Sequence, residues 1–476
     1  MSGGEAYRDL GGQALAWVLA HVRHEPDGPW LPTTIATEDT EDAEGITAPD
    51  EFRDSIYEGL GGLAILLAEV RLTRPWTPEE DELAARIVER LTAQARLRRD
   101  ATLYSGLAGD VVALRLLAPD GEVETLTRLL KLATPEGWLS TEGQWAGTPV
   151  TDLVMGTAGV VLTGVWHGSQ LGLEVARRGA DALVRVAEPV DDGLDWRMSA
   201  TTPRLMPNYS HGTAGVVAAL AMAGHALAED RYLEAARLGA EHLVTIADRS
   251  GGGFRLPICI PWLPRDGEEY TYSWCHGPSG TAYAFLALEH VGAGSIGEST
   301  PKEWRRRCLH SMRISGIPER LHPGFWDNDG RCCGTAGAGA AFLDAAQSEA
   351  APKADGQVYA AQYVAFARHL ADALVERAVV DETGARWRFV EHRRQPPLLP
   401  PGTGWMQGAA GIAAFLLRLA RVVEEGLDAA VVDLPDQWWA VPPEVRLSRG
   451  STTPQWHNNQ APRKHPDDTV RGALNT

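Results

Sequence analysis

Cysteine is scarce, with five residues in a chain of 476. That is too few for a disulfide framework and points instead to a reducing compartment. Basic charge is in deficit as well: 44 Lys and Arg stand against 63 Asp and Glu, for a net charge of −19. A nucleic-acid partner is not expected, because phosphate recognition needs clustered cations. Long apolar runs are missing too. Stretches such as Gly215–Gly224 fall short of the roughly 18–20 residues that cross a bilayer, so no transmembrane segment is expected. Met1–His24 has no basic stretch followed by an apolar core, so no signal peptide is expected and a cytoplasmic location follows. Strand signals are sparse, confined to Trp387–Val390 and a few proline-flanked stretches.

Glycine, by contrast, is abundant and ordered. A G-x-x-G phrase followed by a small, apolar run occurs seven times. Its glycine pairs are Gly59/Gly62, Gly106/Gly109, Gly156/Gly159, Gly212/Gly215, Gly277/Gly280, Gly334/Gly337 and Gly408/Gly411. Successive first glycines lie 47, 50, 56, 65, 57 and 74 residues apart, which is room for two helices and their loops. The runs after the glycines, for example Ala409–Leu417, are apolar nearly all round and read as helices buried on most faces. Between them lie amphipathic segments. Thr77-Pro78-Glu79-Glu80 is a capping box with proline at the first helical position. It opens a helix that places Leu83, Ile87, Val88 and Leu91 on one face.

This pattern predicts an all-α protein, an α/α toroid of seven inner–outer helical hairpins in a double ring. An open solenoid would need polar end repeats, and the terminal phrases are as apolar as the middle ones. In a ring every inner helix starts at the same end, so the seven phrases meet at one mouth. The toroid is expected over residues 1–433. Residues 434–476, Pro-rich and polar, are expected to form a disordered tail. Trp30–Phe52 reads as an acidic loop, and Gly251–Tyr270 as a segment over or beside the site.

Three phrases carry side chains suited to chemistry. Arg331-Cys332-Cys333-Gly334 and Trp274-Cys275-His276-Gly277 bring thiols, and Tyr209-Ser210-His211-Gly212 brings imidazole at the matching place. Soft thiolates in such an arrangement suit zinc. A free thiol is only about 3% ionised at neutral pH, and metal binding makes it fully thiolate. Imidazole is the side chain suited to general acid–base work near neutral pH, and His211 is the candidate for that role.

The ordered set of these phrases resembles the lanthionine synthetase C-like cyclases over roughly residues 50–425. The resemblance implies an α/α toroid with one zinc ion at its mouth. It implies an enzyme that adds peptide cysteine thiols to dehydroalanine or dehydrobutyrine and so closes thioether rings. By similarity, Cys275 and Cys332 match the first two metal ligands. Cys333 stands where the third ligand is usually histidine, giving CCG in place of CHG. An all-thiolate site carries one more negative charge than a site with neutral histidine. It should hold a substrate sulfur more loosely and leave it more nucleophilic. His211 matches the catalytic histidine and Asp152 an acidic residue implicated in catalysis. An arginine that some members place shortly before the Trp-Cys pair is replaced by Thr271. The implied partner is a precursor peptide, dehydrated by a separate enzyme with which this chain could form a complex.

Each residue also has a plainer reading. The three cysteines could form a closed structural zinc site with His276 as fourth ligand. His211 could cap the helix that follows it, and Asp152 could be a helix-N-terminal acid. Cys259 and Cys308 read as packed thiols, and Trp274 and Trp405 as packing or mouth-lining residues. At the level of function the alternatives are addition of a small thiol such as glutathione to dehydroamino acids, or a non-catalytic zinc-stabilised peptide-binding scaffold. A toroidal glycosidase would need two carboxylates across the mouth, and only Asp152 is suitably placed.

Overall fold

Every one of the seven glycine pairs opens a helix, and in each case the helix begins on the residue after the first glycine. The computed structural model describes residues 3–37, 52–119, 121–141, 143–264, 267–319, 328–349, 354–390 and 398–446. Its helices are α1 (Gly3–Ala20), α2 (Leu60–Thr73), α3 (Pro78–Gln94), α4 (Leu107–Leu117), α5 (Val123–Leu132), α6 (Thr157–His167) and α7 (Gln170–Val186). They continue with α8 (Thr213–Leu227), α9 (Asp230–Ile246), α10 (Pro278–His290), α11 (Pro301–Arg313), α12 (Thr335–Glu349), α13 (Ala354–Arg377) and α14 (Ala409–Glu425).

The loop before each inner helix explains the glycines. It coils back so that its carbonyls accept hydrogen bonds from the first-turn N–H groups, which otherwise lack partners. Thr213 N donates to Met206 O and Ala214 N to Pro207 O, and the same offset recurs at Thr157 to Val150 and Ala409 to Gly402. No side-chain cap is present at Gly212 or Gly408. The coil brings backbone against backbone. A Cβ on Gly212 would lie 1.3 Å from Met206 O, and one on Gly215 would lie 2.2 Å from Tyr209 O. Only glycine leaves that space.

The inner helices α2, α4, α6, α8, α10, α12 and α14 pack in that order, and α14 packs on α2 to close the ring. They are buried along nearly their whole length, as in α8 from Thr213 to Gly224. The outer helices bury one stripe each. In α7 that stripe is Gly172, Val175, Ala176, Gly179, Ala180, Ala182 and Leu183. In α3 the expected capping box is present: the Thr77 hydroxyl accepts from Glu80 N, and the Glu80 carboxylate accepts from Thr77 N at 2.9 Å. The protein is thus an α/α toroid, built with one refinement. Six outer helices follow their inner partners, whereas the seventh pair joins the two ends of the ring, α1 lying on α14. Among the described residues, strands are confined to four short antiparallel pairs: Arg23–Glu25 with Gly28–Trp30, Glu188–Val190 with Gly193–Asp195, Val379–Asp381 with Gly384–Arg386, and Phe389–Val390 with Leu398–Leu399. Among the described residues no helix is long and apolar enough to cross a membrane.

The expected boundary at residue 433 is corrected. The chain after α14 does not leave the toroid but runs as a strap into its bore from the C-terminal ends of the inner helices. Gln347, near the end of α12, donates to the carbonyls of Leu427 and Ala429, and Trp166, near the end of α6, donates to Asp433. Further in, the Trp439 indole donates to Tyr283 O at 3.2 Å, the Tyr104 hydroxyl donates to Asp436 Oδ2 at 2.9 Å, and the Tyr209 hydroxyl donates to Asp436 O. Leu434, Asp436, Trp439 and Ala440 are all buried. Burying Asp436 pushes its carboxyl above the usual range. Of the expected tail, residues 447–476 lie outside the described residues, as do 38–51 of the acidic loop.

Candidate metal centre

The glycine phrases are stitched to one another at equivalent positions, two residues before each first glycine. Ser210 N donates to Cys275 O, Cys275 N to Cys332 O, Cys332 N to Met406 O, Met406 N to Tyr57 O, and Tyr57 N to Tyr104 O. Leu153 N and Val154 N both donate to Ser210 O. This circlet of backbone bonds fixes Cys275 and Cys332 side by side, and the next residue of the sixth phrase adds Cys333.

The ligand atoms of Cys275, Cys332 and Cys333 all lie within 4.8 Å of one another, and all three residues are buried. The Cys275 and Cys333 sulfurs are 3.5 Å apart. Burial alone would keep Cys275 protonated, but hydrogen bonds from Cys332, Cys333 and Ser273 hold its thiol well below the usual range. Hydrogen bonding to that same sulfur raises Cys333 to about 12 and lifts Cys332 well above a normal thiol. The cluster therefore accommodates one negative charge readily and resists further ones. A soft divalent cation removes that resistance, and the donor set of three thiols fits Zn²⁺. His276 does not belong to the cluster; its ring lies against that of His211, centroids 5.4 Å apart.

His211 and Asp152 come together from adjacent phrases. His211 Nδ1 is 2.7 Å from Asp152 Oδ2, with Asp152 fully buried and the His211 side chain 24% exposed. A carboxylate oxygen only accepts, so Nδ1 carries the proton and Nε2 is the exchangeable site. Asp152 is not a helix-N-terminal acid: it sits before α6, and its other oxygen accepts from Met155 N at 2.7 Å. Nor does His211 cap α8, whose N-cap residue is Gly212 with no side-chain cap. Cys259 and Cys308 are buried away from the cluster, as packed thiols, with Arg204 Nη1 3.1 Å from the Cys259 sulfur. The Pro257–Ile260 part of the expected Gly251–Tyr270 segment lies beside the His211 phrase, where Asn208 donates to Pro257 O and Leu205 pairs with Ile260. Thr271 is buried, with its hydroxyl 3.4 Å from that of Ser273.

Sequence reasoning missed three neighbours of the thiols. The Ser273 hydroxyl is 3.3 Å from Cys275 Sγ. Gln407 Nε2 is 3.5 Å from Cys333 Sγ and 3.0 Å from the Tyr57 hydroxyl. Tyr57 lies close to the thiols as well: burial, followed by the charges of Cys332 and Cys333, raises its pKa well above that of an ordinary phenol. The signal was present: Tyr57 and Gln407 occupy the same places before their glycines as Cys332 and Cys333 do before theirs.

A closed double ring of helices with a thiol centre and a His–Asp pair at its mouth defines the class of protein. The family model described as "Lanthionine synthetase C-like protein" matches residues 50–429, and the chain belongs to that family. Among solved structures, nisin cyclase matches with a TM-score of 0.52 at 13% identity, over 78% of this chain and 89% of that one. The Lin0763 protein from Listeria innocua matches with a TM-score of 0.46 at 15% identity, over 88% and 97% of the two chains. An unsaturated glucuronyl hydrolase from Bacillus sp. GL1 matches with a TM-score of 0.45 at 12% identity, over 92% and 98%. No curated protein sequence matches the chain.

Proposed function

We propose that this protein is a zinc-dependent lanthipeptide cyclase that adds cysteine thiols of a precursor peptide to dehydroalanine or dehydrobutyrine, forming lanthionine or methyllanthionine. The observation that carries this reading is the buried three-thiol cluster beside the His211–Asp152 pair. Cys275, Cys332 and Cys333 would hold the zinc ion, which when bound supplies a Lewis acid that makes a substrate thiol a thiolate at neutral pH.

The protein's own residues account for the proton. In the net reaction an S–H bond and a C=C π bond are lost, and an S–Cβ and a Cα–H bond are formed, with no change of oxidation state. The thiol gives up its proton, and Cα of the enolate needs one. His211 Nε2 delivers it, while the Nδ1 hydrogen bond to Asp152 fixes the ring and supports the imidazolium that acts as the acid. The peptide arrives already dehydrated, by a separate enzyme with which this chain could assemble, in the cytoplasm.

The test exploits the fact that ring closure leaves peptide mass unchanged but consumes a thiol. Zinc-loaded protein is mixed with a dehydrated, cysteine-containing peptide, and free thiols are then alkylated and counted by mass spectrometry. Loss of alkylation at unchanged peptide mass is the expected outcome. Full alkylation after prolonged incubation would refute the cyclase reading, and a mass gain on adding glutathione would reassign the enzyme to small-thiol addition.

A further inference from the structure

Two sulfurs of the cluster each have a polar side-chain neighbour that is not a cysteine. Ser273 serves Cys275 from within the fifth phrase, its hydroxyl 3.3 Å from the sulfur. Gln407 serves Cys333 at 3.5 Å, and the same amide nitrogen is 3.0 Å from the Tyr57 hydroxyl. Tyr57 belongs to the first phrase and Gln407 to the seventh, so only closure of the ring puts them next to each other, stitched by Met406 N to Tyr57 O at 3.0 Å.

The directions of these bonds are consistent. The Gln407 amide nitrogen donates to the Tyr57 oxygen at 3.0 Å. The second amide hydrogen is left for Cys333. Gln407 Oε1 is buried with no partner among the described residues. Turning the amide over would set that acceptor against sulfur. This is unfavourable once the sulfur is anionic, because a lone pair then faces a negative charge.

We infer that Ser273 and Gln407, the latter anchored by Tyr57, form a donor shell that holds the Cys275 and Cys333 sulfurs as metal-ligating thiolates and sets how tightly the centre binds its metal. The inference rests on the reading of the cluster as a zinc site. The physical need comes from Cys333. With thiolate where the family usually has histidine, the centre carries an additional negative charge, and N–H and O–H dipoles aimed at the sulfurs draw that charge off. These are positioning residues, since they act through the cysteines.

The test uses the full chain with Ser273→Ala, Tyr57→Phe and Gln407→Leu, and Gln407→Glu as an isosteric exchange of donor for acceptor. Zinc affinity is measured by chelator competition, and the sulfur-to-metal charge-transfer band is recorded with Co²⁺ in place of zinc. The thermal transition of the metal-free protein is followed in parallel. Each single loss of a donor, or of the Tyr57 anchor, should weaken zinc binding about 10–100-fold, the range known for partners of metal ligands. It should move the Co²⁺ band to lower energy, because a sulfur without its donor is more easily oxidised, and leave the metal-free transition near wild type. Gln407→Glu should weaken binding more than Gln407→Leu. Unchanged affinity and an unmoved band in all variants would overturn the donor shell while leaving the metal centre intact. So would a loss of affinity accompanied only by a lowered metal-free transition. A wild-type protein that takes up neither zinc nor Co²⁺ would instead overturn the metal reading of the proposed function, and this inference with it.

Discussion

Replacing His211 by Asn separates an enzyme from a scaffold. The perturbation removes the titratable ring and shortens the side chain, so the 2.7 Å bond to Asp152 Oδ2 is lost. Asp152 is fully buried, and its Oδ1 keeps the Met155 N–H. The structural cost is therefore that of one incompletely satisfied buried oxygen, about 1–3 kcal/mol. That lowers the melting temperature by a few degrees but leaves the protein folded at assay temperature. The catalytic cost is of another order. A positioned general acid contributes about 10²–10⁴ in rate, or roughly 2.7–5.5 kcal/mol of barrier. The assay is single-turnover thioether formation, followed by alkylation and mass spectrometry, with zinc content measured on the same samples. We expect full zinc occupancy and a rate at least a hundredfold below wild type. Asp152→Asn should lose activity in the same direction, and the double variant should be little slower than His211→Asn alone, because both act through one imidazole. Cyclisation at an undiminished rate would remove His211 from the mechanism. Loss of zinc would make it a ligand instead.

Cys333→His should retain zinc, because imidazole is an equally good ligand, but should slow ring closure as the centre loses a negative charge; a single-turnover rate at or above wild type would refute that electrostatic argument. Gly212→Ala places a Cβ 1.3 Å from Met206 O and should cost about 1–3 kcal/mol or more by denaturant titration, whereas Gly12→Ala, with nothing within 4 Å of the new Cβ, should stabilise α1 by about 0.5–1 kcal/mol. Trp439→Ala, which empties a buried site in the strap and removes the bond to Tyr283 O, should cost about 3–5 kcal/mol; a melting temperature equal to wild type would show that the strap contributes nothing to the ring.

The ring was legible in the sequence because its building rule is steric. A carbonyl six residues back lies on the Cβ position of both glycines in a phrase, as at Gly277 against Thr271 O and Gly280 against Trp274 O. The rule repeats, so it can be counted. The thiol cluster was legible for the same reason, since its cysteines sit at fixed offsets from those glycines. The strap was not legible. Leu434, Asp436 and Trp439 are buried without helical or strand period, and an aperiodic Pro-containing segment gives no sign of which face it buries. Its partners Tyr104, Tyr209 and Tyr283 lie in three different repeats, 332, 227 and 156 residues from the strap residues they bond. The His211–Asp152 contact spans two phrases at unequal distances from their glycines. Their proximity follows from ring closure and hydrogen bonding, not from spacing.

The circlet at the mouth also explains how one repeat can yield a chemically uneven site. Seven phrases present equivalent backbone, and hydrogen bonds between residues two before the first glycine hold them in register from the third phrase round to the second. What differs is the side chain at that place and at the next: Tyr57 and Glu58, Ser210 and His211, Cys275 and His276, Cys332 and Cys333, Met406 and Gln407. The thiols occupy the fifth and sixth phrases. The fourth phrase brings His211 to one flank, and the seventh and first bring Gln407 and Tyr57 to the other. Because the strap enters the bore from the opposite end and reaches Arg331 through Gln437 at 3.3 Å, the side chain preceding Cys332 is braced from below. Under the proposed cyclase reading, a peptide thiol would meet the cluster from the mouth side, with His211 on one flank and hydrogen-bond donors on the other. The asymmetry the chemistry requires is written in two positions of a symmetric frame, and changing those positions should alter the reaction before it alters the ring.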